Sequence, residues 1–257
     1  MIGAIAGDIV GSRFEGLPLV PDDFELFHPQ CAFTDDTICL LAVADALQGD
    51  RDFGGNLRTL ARQHPMRGYG RSFIRWFTAN EAPAYGSFGN GAPMRVASVG
   101  WLATSEAEVF EFADAQSVVT HNHPEAMAAA RAVALSIFLA RRGSSASEIK
   151  ARIETDYAYD LESPRQGFDI RAGETTARAL GAAFAATTWE DAVRRAMAGA
   201  GDTDTLASIA GGVAEALYGV PSPIREAAKT KLPKSLLLIF SRFEEAKDLR
   251  LPLKHMP

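Results

Sequence analysis

Apolar side chains recur along this chain at the three- and four-residue spacing of α-helices. The run ICLLAVADALQ begins at Ile38 and predicts a buried helix that stops at Gly49. A second buried helix is predicted from Glu125, where EAMAAARAVALSIFLARR ends in two arginines ahead of Gly143. Basic side chains in a last turn complement the negative end of the helix dipole. The two runs therefore predict two buried helices.

Shorter runs with the same spacing predict further helices. Thr188 is a candidate N-cap for TWEDAVRRAMAGA, and acidic residues follow it in the first turn. After a polar turn at residues 201–205 comes LASIAGGVAEALYG, whose small side chains allow helices to approach closely. Amphipathic helical segments are also predicted near Glu106–Val118, 147–156 and 236–248.

The breaks between these runs indicate loops inside one domain. Residues 64–93 are the region richest in Pro and Gly and are predicted as a set of loops, and residues 156–173 are predicted to be irregular. The sequence contains no convincing alternating strands, no low-complexity linker and no repeat of fixed period. We therefore expect an all-α fold, a compact single-domain helical bundle over residues 1–257, with 251–257 as a flexible tail.

Composition narrows the functional class. The chain has 257 residues, 47% of them hydrophobic, and a net charge of −6, which argues against a general binder of nucleic-acid backbones. A small anionic ligand is still compatible, because helix N-termini bind phosphate without a basic surface. Cys31 and Cys39 alone do not form a disulfide framework. The apolar start ends at Asp8, too soon for a membrane span and without a basic leader, so we expect a soluble, cytoplasmic protein.

Two adjacent carboxylates stand at the start of the helix that begins at Ile38. The sequence there reads Thr34, Asp35, Asp36, Thr37. Helix capping alone explains one such side chain, since Thr and Asp accept hydrogen bonds from free amides. A second carboxylate adds repulsion unless a cation or solvent offsets it. The pair therefore favours a cation site without excluding a cap.

A second acidic helix start follows at Asp202, Thr203, Asp204 and Thr205. Capping is again the alternative for this segment. If the two helix N-termini converge, their carboxylates and hydroxyls form an all-oxygen site, which suits Mg²⁺, Mn²⁺ or Ca²⁺. Zinc is disfavoured because neither segment offers Cys or clustered His. Four carboxylates exceed what one Mg²⁺ usually takes, which indicates two ions.

Three other segments carry candidate ligand contacts. The loop between Tyr85 and Arg95 is rich in glycine, so its backbone amides are candidates to bind a phosphate. Tyr85 or Phe88 is a candidate to stack on a base or ribose. The alternative is that the loop is simply a turn, as most such loops are. In Thr120-His121-Asn122-His123-Pro124, a cap by Thr120 or Asn122 competes with a histidine beside an anionic ligand. Near the N-terminus, Asp8 is expected to bond to backbone, and Glu15 is either a surface acid or a fifth carboxylate near the metals.

Together these segments resemble the ADP-ribosylglycohydrolase family, the group that includes the dinitrogenase-reductase-activating glycohydrolase, in its short bacterial form. The matching stretches, in order, are GAIAGDIVGSRFE, FTDDT, AYGSFGNGAPMR, THNHPEA and GDTDTLASIAGGVAEALYG. Each stretch is unspecific alone, but all five in this order form a specific signature. The resemblance covers residues 1–224, nearly the whole chain.

The resemblance implies a compact α-helical bundle with two Mg²⁺, or in some members Mn²⁺, at one end of a cleft. It implies metal ligation by Thr34, Asp35, Asp36, Asp202, Asp204 and Thr205. Glu15 matches a glutamate that reaches the metal site in some members and gates substrate entry. The loop formed by Gly86, Ser87, Phe88, Gly89, Asn90 and Gly91 matches the segment around the diphosphate and proximal ribose, and His121, with His123 as a second contact, matches the phosphate and adenosine side.

The implied reaction is hydrolysis of the bond between the anomeric carbon of the distal ribose and its acceptor, with a metal-activated water and proton transfer by Asp36, Asp204 or Glu15. Arginine is the expected acceptor, since bacterial members often act on it; serine, a nucleic-acid base, the O-acetyl ester and poly(ADP-ribose) are alternatives within the family. A monomer is expected. A non-catalytic ADP-ribose binder, a metal-dependent nucleotide phosphohydrolase and a structural helical protein are the rival interpretations.

One departure from the family pattern concerns the cleft. Residues 171–176 belong to FDIRAGETTARA, where members usually read similarly to FDVSCQGSVPEA, and Ala200 stands where members often have a second glycine. Neither change removes a proposed metal ligand. The departure therefore bears on acceptor preference more than on catalysis.

Overall fold

Thirteen helices make up the fold in residues 1–162 and 167–250, the residues that the computed structural model describes. They are α1 (Ile2–Gly11), α2 (Asp35–Gln48), α3 (Phe53–Gln63), α4 (Arg71–Thr78), α5 (Ala97–Leu102), α6 (Glu106–Val118), α7 (Pro124–Arg141), α8 (Ala146–Tyr157), α9 (Ala172–Phe184), α10 (Trp189–Met197), α11 (Thr203–Tyr218), α12 (Ser222–Thr230) and α13 (Lys234–Arg250). These ranges hold no β-strand, and one isolated bridge joins Gly89 to Arg171. The all-α expectation is confirmed.

Helices α1 and α11 form the centre of the core and run antiparallel. Every residue of α1 is buried. Gly3, Gly7 and Gly11 recur every fourth position and face carbonyl oxygens of α11, so closely that a Cβ atom on Gly7 would lie 2.0 Å from the oxygen of Ala207. The Thr203 hydroxyl donates to the Gly11 carbonyl over 2.9 Å. This contact brings the loop after α1 to the N-terminus of α11.

The long apolar runs form the helices that their spacing predicts. Helix α2 ends at the Gly49 cap but begins at Asp35, three residues before Ile38, because the Thr34 hydroxyl caps it by accepting from the Asp36 amide. Helix α10 has its expected cap at Thr188. The amphipathic segments correspond to α6, α8 and α13, with bounds that differ by at most two residues at each end.

Several short helices differ from the sequence-based expectation. Residues 64–93, predicted as loops, contain α4, whose Phe73, Trp76 and Phe77 are buried. Arg58 and Arg62 of α3 hold its C-terminal end by donating to backbone carbonyl oxygens there, including that of Ala79. Such tertiary contacts stabilise an eight-residue helix that local pattern alone does not.

Helices α1, α3, α5, α9 and α12 were also not predicted as helices, and α9 begins inside the segment 156–173 that was expected to be irregular. Helix α1 is too uniformly apolar and α5 too short to give a clear period, but α3 has a clear one that was overlooked, with buried Phe53, Leu57, Leu60 and Ala61 on one face. Residues 163–166 of that segment, and the tail at 251–257, lie outside the described residues. No helix in the described part of the chain combines the length and apolarity needed to cross a membrane.

Candidate metal centre and ligand cleft

A cavity of about 430 Å³ opens where the N-termini of α2 and α11 meet the Gly-rich loop. Its lining comprises Glu15, Asp35, Asp36, Cys39, Gly68, Gly70, Arg71, Ser72, Phe73, Tyr85, Ser87, Gly89, Asn90, Gly91, Met94, Arg95, His121, Phe168, Ile170, Asp202, Asp204 and Thr205. Acidic side chains therefore line one side, and the loop, His121 and the start of α4 line the rest. Cavities of this size hold small ligands.

Asp8 organises the start of α2 from inside the core. Its buried carboxylate accepts from the Thr34 amide over 3.0 Å and from the Thr34 hydroxyl over 2.6 Å. It also accepts from the Thr37 amide over 3.2 Å and from the Thr37 hydroxyl. The expected structural role of Asp8 is confirmed. The Thr34 hydroxyl thus donates its proton to Asp8 and accepts from the Asp36 amide, which fixes the first turn of α2.

The two acidic helix starts meet through Asp36 and Thr205. The Thr205 hydroxyl donates to Asp36 Oδ2 over 3.2 Å. Asp36 is 2% exposed, and its Oδ1 has no hydrogen-bond partner among the described residues. A buried carboxylate oxygen without a partner is costly unless a cation neutralises it. Asp36 therefore carries an unsatisfied acceptor at the junction of the two helices.

Glu15, Asp202 and Asp204 complete the acidic side of the cavity. One carboxylate oxygen from each lies within 4.8 Å of the others. Asp202 does not cap α11 with its side chain; its Oδ2 accepts from Asn90 Nδ2 over 2.7 Å. Asp35 is half-buried and lines the cavity outside this group of three. The capping explanation thus fails for Asp202.

The electrostatics of this cluster favour a cation. Burial raises the pKa of the Asp36 and Asp204 carboxyls well above their usual range, and neighbouring carboxylates raise it further, Asp8 foremost for Asp36 and Asp36 foremost for Asp204. The pKa of Asp35 is raised in the same way, by burial and then by Asp8. Within the described residues no ion pair reaches any of these groups. An all-oxygen, uncompensated set of this kind fits a hard divalent cation.

The Gly-rich loop is attached to the protein along both edges. The Gly86 amide donates to Asn122 Oδ1 over 2.8 Å, and the Asn90 amide donates to the Ile170 carbonyl over 2.9 Å. The Ser87 and Gly89 amides also bond within the protein. Among the described residues, the amides of Phe88 and Gly91 are left without a partner. The loop therefore offers two backbone donors rather than a full cradle.

The two histidines of the THNHP segment have different environments. His121 is buried and lines the cavity, whereas His123 does not line it. His123 Nδ1 accepts from the Glu125 amide over 3.2 Å and so caps α7, which corrects the expectation that Thr120 or Asn122 is the cap. Gly86 and Phe88 likewise lie outside the lining, and the Phe88 side chain is 51% exposed.

Comparison with known proteins agrees with this architecture. The family model described as ADP-ribosylglycohydrolase matches residues 1–251. This chain belongs to the ADP-ribosylglycohydrolase family. Among curated members, ADP-ribosylhydrolase ARH3 of Homo sapiens is 27% identical over 201 residues, covering 65% of this chain and 55% of that protein. ARH3 of Danio rerio is 26% identical over 176 residues, covering 57% of this chain and 48% of that protein.

The chain thus spans about half the length of the ARH3 proteins that it matches. A solved structure described as an ADP-ribosylglycohydrolase-related protein complex superposes with a TM-score of 0.72 at 24% identity, covering 97% of this chain and 95% of that one. The fold of this chain is therefore an ADP-ribosylglycohydrolase fold over nearly its full length.

Several residues of the cleft were not found by sequence reasoning. Arg95 is 1% exposed and lies at the back of the cavity, although it ends the family stretch AYGSFGNGAPMR. Arg71 and Ser72, at the start of α4, and Phe168 also line the cavity. Arg95 could have been identified from that stretch, because a single arginine between apolar residues is expected to be buried and to donate to buried hydrogen-bond acceptors. The other three carry no local signal.

The segment that departs from the family pattern borders the cleft. Thr175 accepts from Asn90 Nδ2 over 3.3 Å and donates to the Asp169 carbonyl over 3.1 Å. Arg171 pairs with Gly89 in the isolated bridge, and its guanidinium contacts the Asp169 carboxylate. The residues that depart from the family pattern therefore contact the Gly-rich loop from outside the cavity. These contacts do not involve the carboxylates of the acidic cluster.

Proposed function

We propose that this protein is a divalent-metal-dependent glycohydrolase that releases ADP-ribose from an ADP-ribosylated acceptor. The observation that carries the proposal is the cluster of Glu15, Asp202 and Asp204 at one end of a ligand-sized cavity, next to the unsatisfied Oδ1 of Asp36. The family membership supplies the reaction class, since the site chemistry alone also suits other hydrolases.

Two Mg²⁺ ions, or Mn²⁺ in their place, are the proposed cofactors. The residues that would hold them are Thr34, Asp35, Asp36, Asp202, Asp204 and Thr205. Bound there, such ions supply an acidified water and an anchor for ribose hydroxyls. The number of acidic groups around the cavity supports two ions rather than one.

The remaining cavity residues bind and orient the substrate. The Gly91 amide and His121, which line the cavity, are proposed to hold the diphosphate, and the Tyr85 ring is proposed to pack on a ribose or base. Ser87, Gly89 and Asn90 line the same wall, while Gly86 and His123 shape it from behind. The carboxylates at the other end stabilise positive charge that develops on the distal ribose.

Proton transfer is proposed for Glu15, with Asp36 and Asp204 as alternatives. Glu15 is exposed at the cavity mouth on the loop after α1, whereas Asp36 and Asp204 are buried within the helix starts. A proton accepted by Glu15 reaches solvent directly. Arginine as acceptor, a cytoplasmic location and a monomeric state stay predictions from the sequence.

Product analysis tests this proposal. The purified protein is incubated with arginine- and serine-linked ADP-ribosylated substrates, with Mg²⁺ and after EDTA treatment. We expect free ADP-ribose, and the substrate that yields it identifies the acceptor. Production of AMP, with ribose phosphate left on the acceptor, instead assigns a phosphohydrolase, and ADP-ribose binding without release from any acceptor assigns a binder.

A further inference from the structure

His121 is held by three neighbouring residues that define its position. Its Nδ1 lies 2.7 Å from the Thr120 hydroxyl oxygen. Its opposite edge packs on Gly91, where an added Cβ atom would come within 2.7 Å of Nε2 and 2.8 Å of Cε1. The Tyr85 ring lies beside it at a tilt of 58°, with ring centroids 6.0 Å apart. The imidazole therefore has one orientation, with Nδ1 toward the core.

Arg95 determines which way the Thr120 hydroxyl points. Arg95 Nη2 donates to Thr120 Oγ1 over 2.9 Å, while its other bonds go to the side-chain and backbone oxygens of Gln116. A guanidinium only donates, so Thr120 Oγ1 accepts from Arg95 and still has its own proton to place. Within the described residues the acceptor in reach of that proton is His121 Nδ1.

The opposite arrangement leaves a hydrogen bond unmade. If His121 carried its proton on Nδ1 and donated it to Thr120, the buried hydroxyl proton would have no acceptor among the described residues. A buried donor without a partner is disfavoured. A doubly protonated ring is disfavoured as well, because burial and then the charge of Arg95 lower the pKa of His121 well below its usual value.

We infer that Arg95 and Thr120 are positioning residues that hold His121 as a neutral imidazole with its proton on Nε2, as a hydrogen-bond donor to the ligand in the cavity. The proton order is Arg95 Nη2–H to Thr120 Oγ1, Thr120 Oγ1–H to His121 Nδ1, and His121 Nε2–H to an oxygen of the ligand. In the described residues Nε2 has no protein partner, and His121 lines the cavity. The ligand half of this inference rests on the proposed function.

Nitrogen-15 NMR of the histidine side chains in the free protein tests the proton placement. The sequence has five histidines, and His121→Gln identifies the signal of His121. At neutral pH we expect an unprotonated Nδ1 and a protonated Nε2. A proton on Nδ1, or a doubly protonated ring, overturns the inference whatever the protein binds.

The pair Thr120→Val and Thr120→Ser tests the positioning role. Valine has a similar shape and no hydroxyl, whereas serine keeps the hydroxyl. Calorimetry with free ADP-ribose is expected to show binding weakened about tenfold by Thr120→Val, the order of one lost hydrogen bond, and restored by Thr120→Ser. Thr120→Val should also mix the two tautomers of His121 in the NMR spectrum, an effect that a loss of stability alone does not produce.

Equal ADP-ribose affinity in Thr120→Val and the native protein contradicts the inference. If the native protein shows the expected tautomer but binds no ADP-ribose, the proposed function is contradicted instead. The inferred hydrogen bond from His121 to the ligand is then contradicted as well. The two failures are therefore distinguishable in one set of samples.

Discussion

At the scale of single residues, the acidic cluster opposes folding when no cation is bound. Asp36 and Asp204 are buried without a cationic partner among the described residues, and the carboxylate of Asp36 raises the pKa of Asp204. Proteins retain such groups where function needs them, since replacing unpaired buried charge usually stabilises a fold. Substitutions in this cluster are therefore expected to abolish activity without lowering stability.

Asp204→Asn is expected to abolish turnover and leave the fold intact. The loss should exceed about 100-fold, because replacing groups that only support a metal ligand already costs 10–100-fold. Without metal, the melting temperature of the variant should equal or exceed that of the native protein, and Mg²⁺ should raise it less. Asp35→Asn is expected to have the same effects. The control is Asp23→Asn, which replaces an exposed carboxylate away from the cavity. Full metal-dependent turnover in Asp204→Asn or Asp35→Asn would sink the metal assignment.

His121 gives a prediction about stability and pH. Its pKa in the folded protein is lowered from 6.5, by burial and then by Arg95. As pH falls below that ordinary value, the unfolded chain binds a proton that the folded protein does not, so stability is lost. His121→Gln lacks this loss. Melting temperatures of the two proteins are expected to diverge between pH 7 and 5, with the native protein falling faster; parallel curves would contradict the shift.

At the scale of secondary-structure elements, the contact between α1 and α11 places the two halves of the cluster. Glycines at every fourth position let the helices approach until the α1 backbone touches carbonyl oxygens of α11. Thr203 and Gly11 meet at the end of that contact, next to the acidic helix start. The separation of these two helices therefore determines where Glu15 stands relative to Asp202 and Asp204.

Gly7→Ala is expected to lower the free energy of unfolding by about 3 kcal/mol or more, at or above the usual range for overpacking. The added Cβ atom meets the Ala207 carbonyl oxygen, which is backbone and cannot rotate away. The control is Gly54→Ala in α3, whose Cβ atom would lie no closer than 3.7 Å to any atom beyond its chain neighbours and its own helix backbone; it should change stability by no more than about 1 kcal/mol. Urea denaturation measures both, and equal effects would disprove the close contact.

The turn before α11 is held by Arg178. Ala200 has a positive φ of 53°, the left-handed conformation that favours glycine. Buried Arg178 donates to the Ala200 carbonyl over 2.7 Å and to the Ala196 carbonyl over 3.1 Å. The Gly201 carbonyl then accepts from the Gly16 amide over 3.0 Å. One turn thus positions both Asp202 and the residue next to Glu15.

Arg178→Met is expected to weaken Mg²⁺ or Mn²⁺ binding about tenfold, in the range of substitutions that disturb the support of metal ligands. Arg178→Lys should recover part of the affinity, since lysine keeps a donor. The control is Arg62→Met, which removes comparable bonds to backbone carbonyls at the end of α4, away from the cavity. Calorimetric titration measures each affinity. Equal weakening by both methionine variants would mean a general loss of stability rather than a positioning effect.

At the scale of the whole molecule, the all-α class and the longest helices were predictable, whereas several other helices, α1 and α4 among them, were missed. Runs such as that of α7 are long enough for the apolar period to be unambiguous. Helix α1 is apolar at almost every position, because it is buried on all sides, and so shows no period. Helix α4 depends on arginines of α3, which are distant in sequence from its C-terminal carbonyls. Those contacts exist only in the folded chain.

The site was predictable in its residue types and not in its connections. The acidic pairs stand out in the sequence because two carboxylates exceed what a cap needs. Three contacts of the site have no local signature in the sequence. They are the hydrogen bond between Thr205 and Asp36, the one between Asn90 and Asp202, and the cap that His123 provides for α7. The phosphate-loop expectation was too broad for the same reason, since neighbouring segments use most of its amides.

The dependence of ADP-ribose release on added Mg²⁺ tests the central claim most directly. Native protein is stripped with EDTA, and initial rates of ADP-ribose release are measured on the acceptor that it cleaves, as Mg²⁺ is restored. We predict no release without the ion and a saturable return of full rate with it. A stripped protein that releases ADP-ribose at the full rate would contradict the metal site, and failure on every ADP-ribosylated acceptor with Mg²⁺ present would contradict the glycohydrolase.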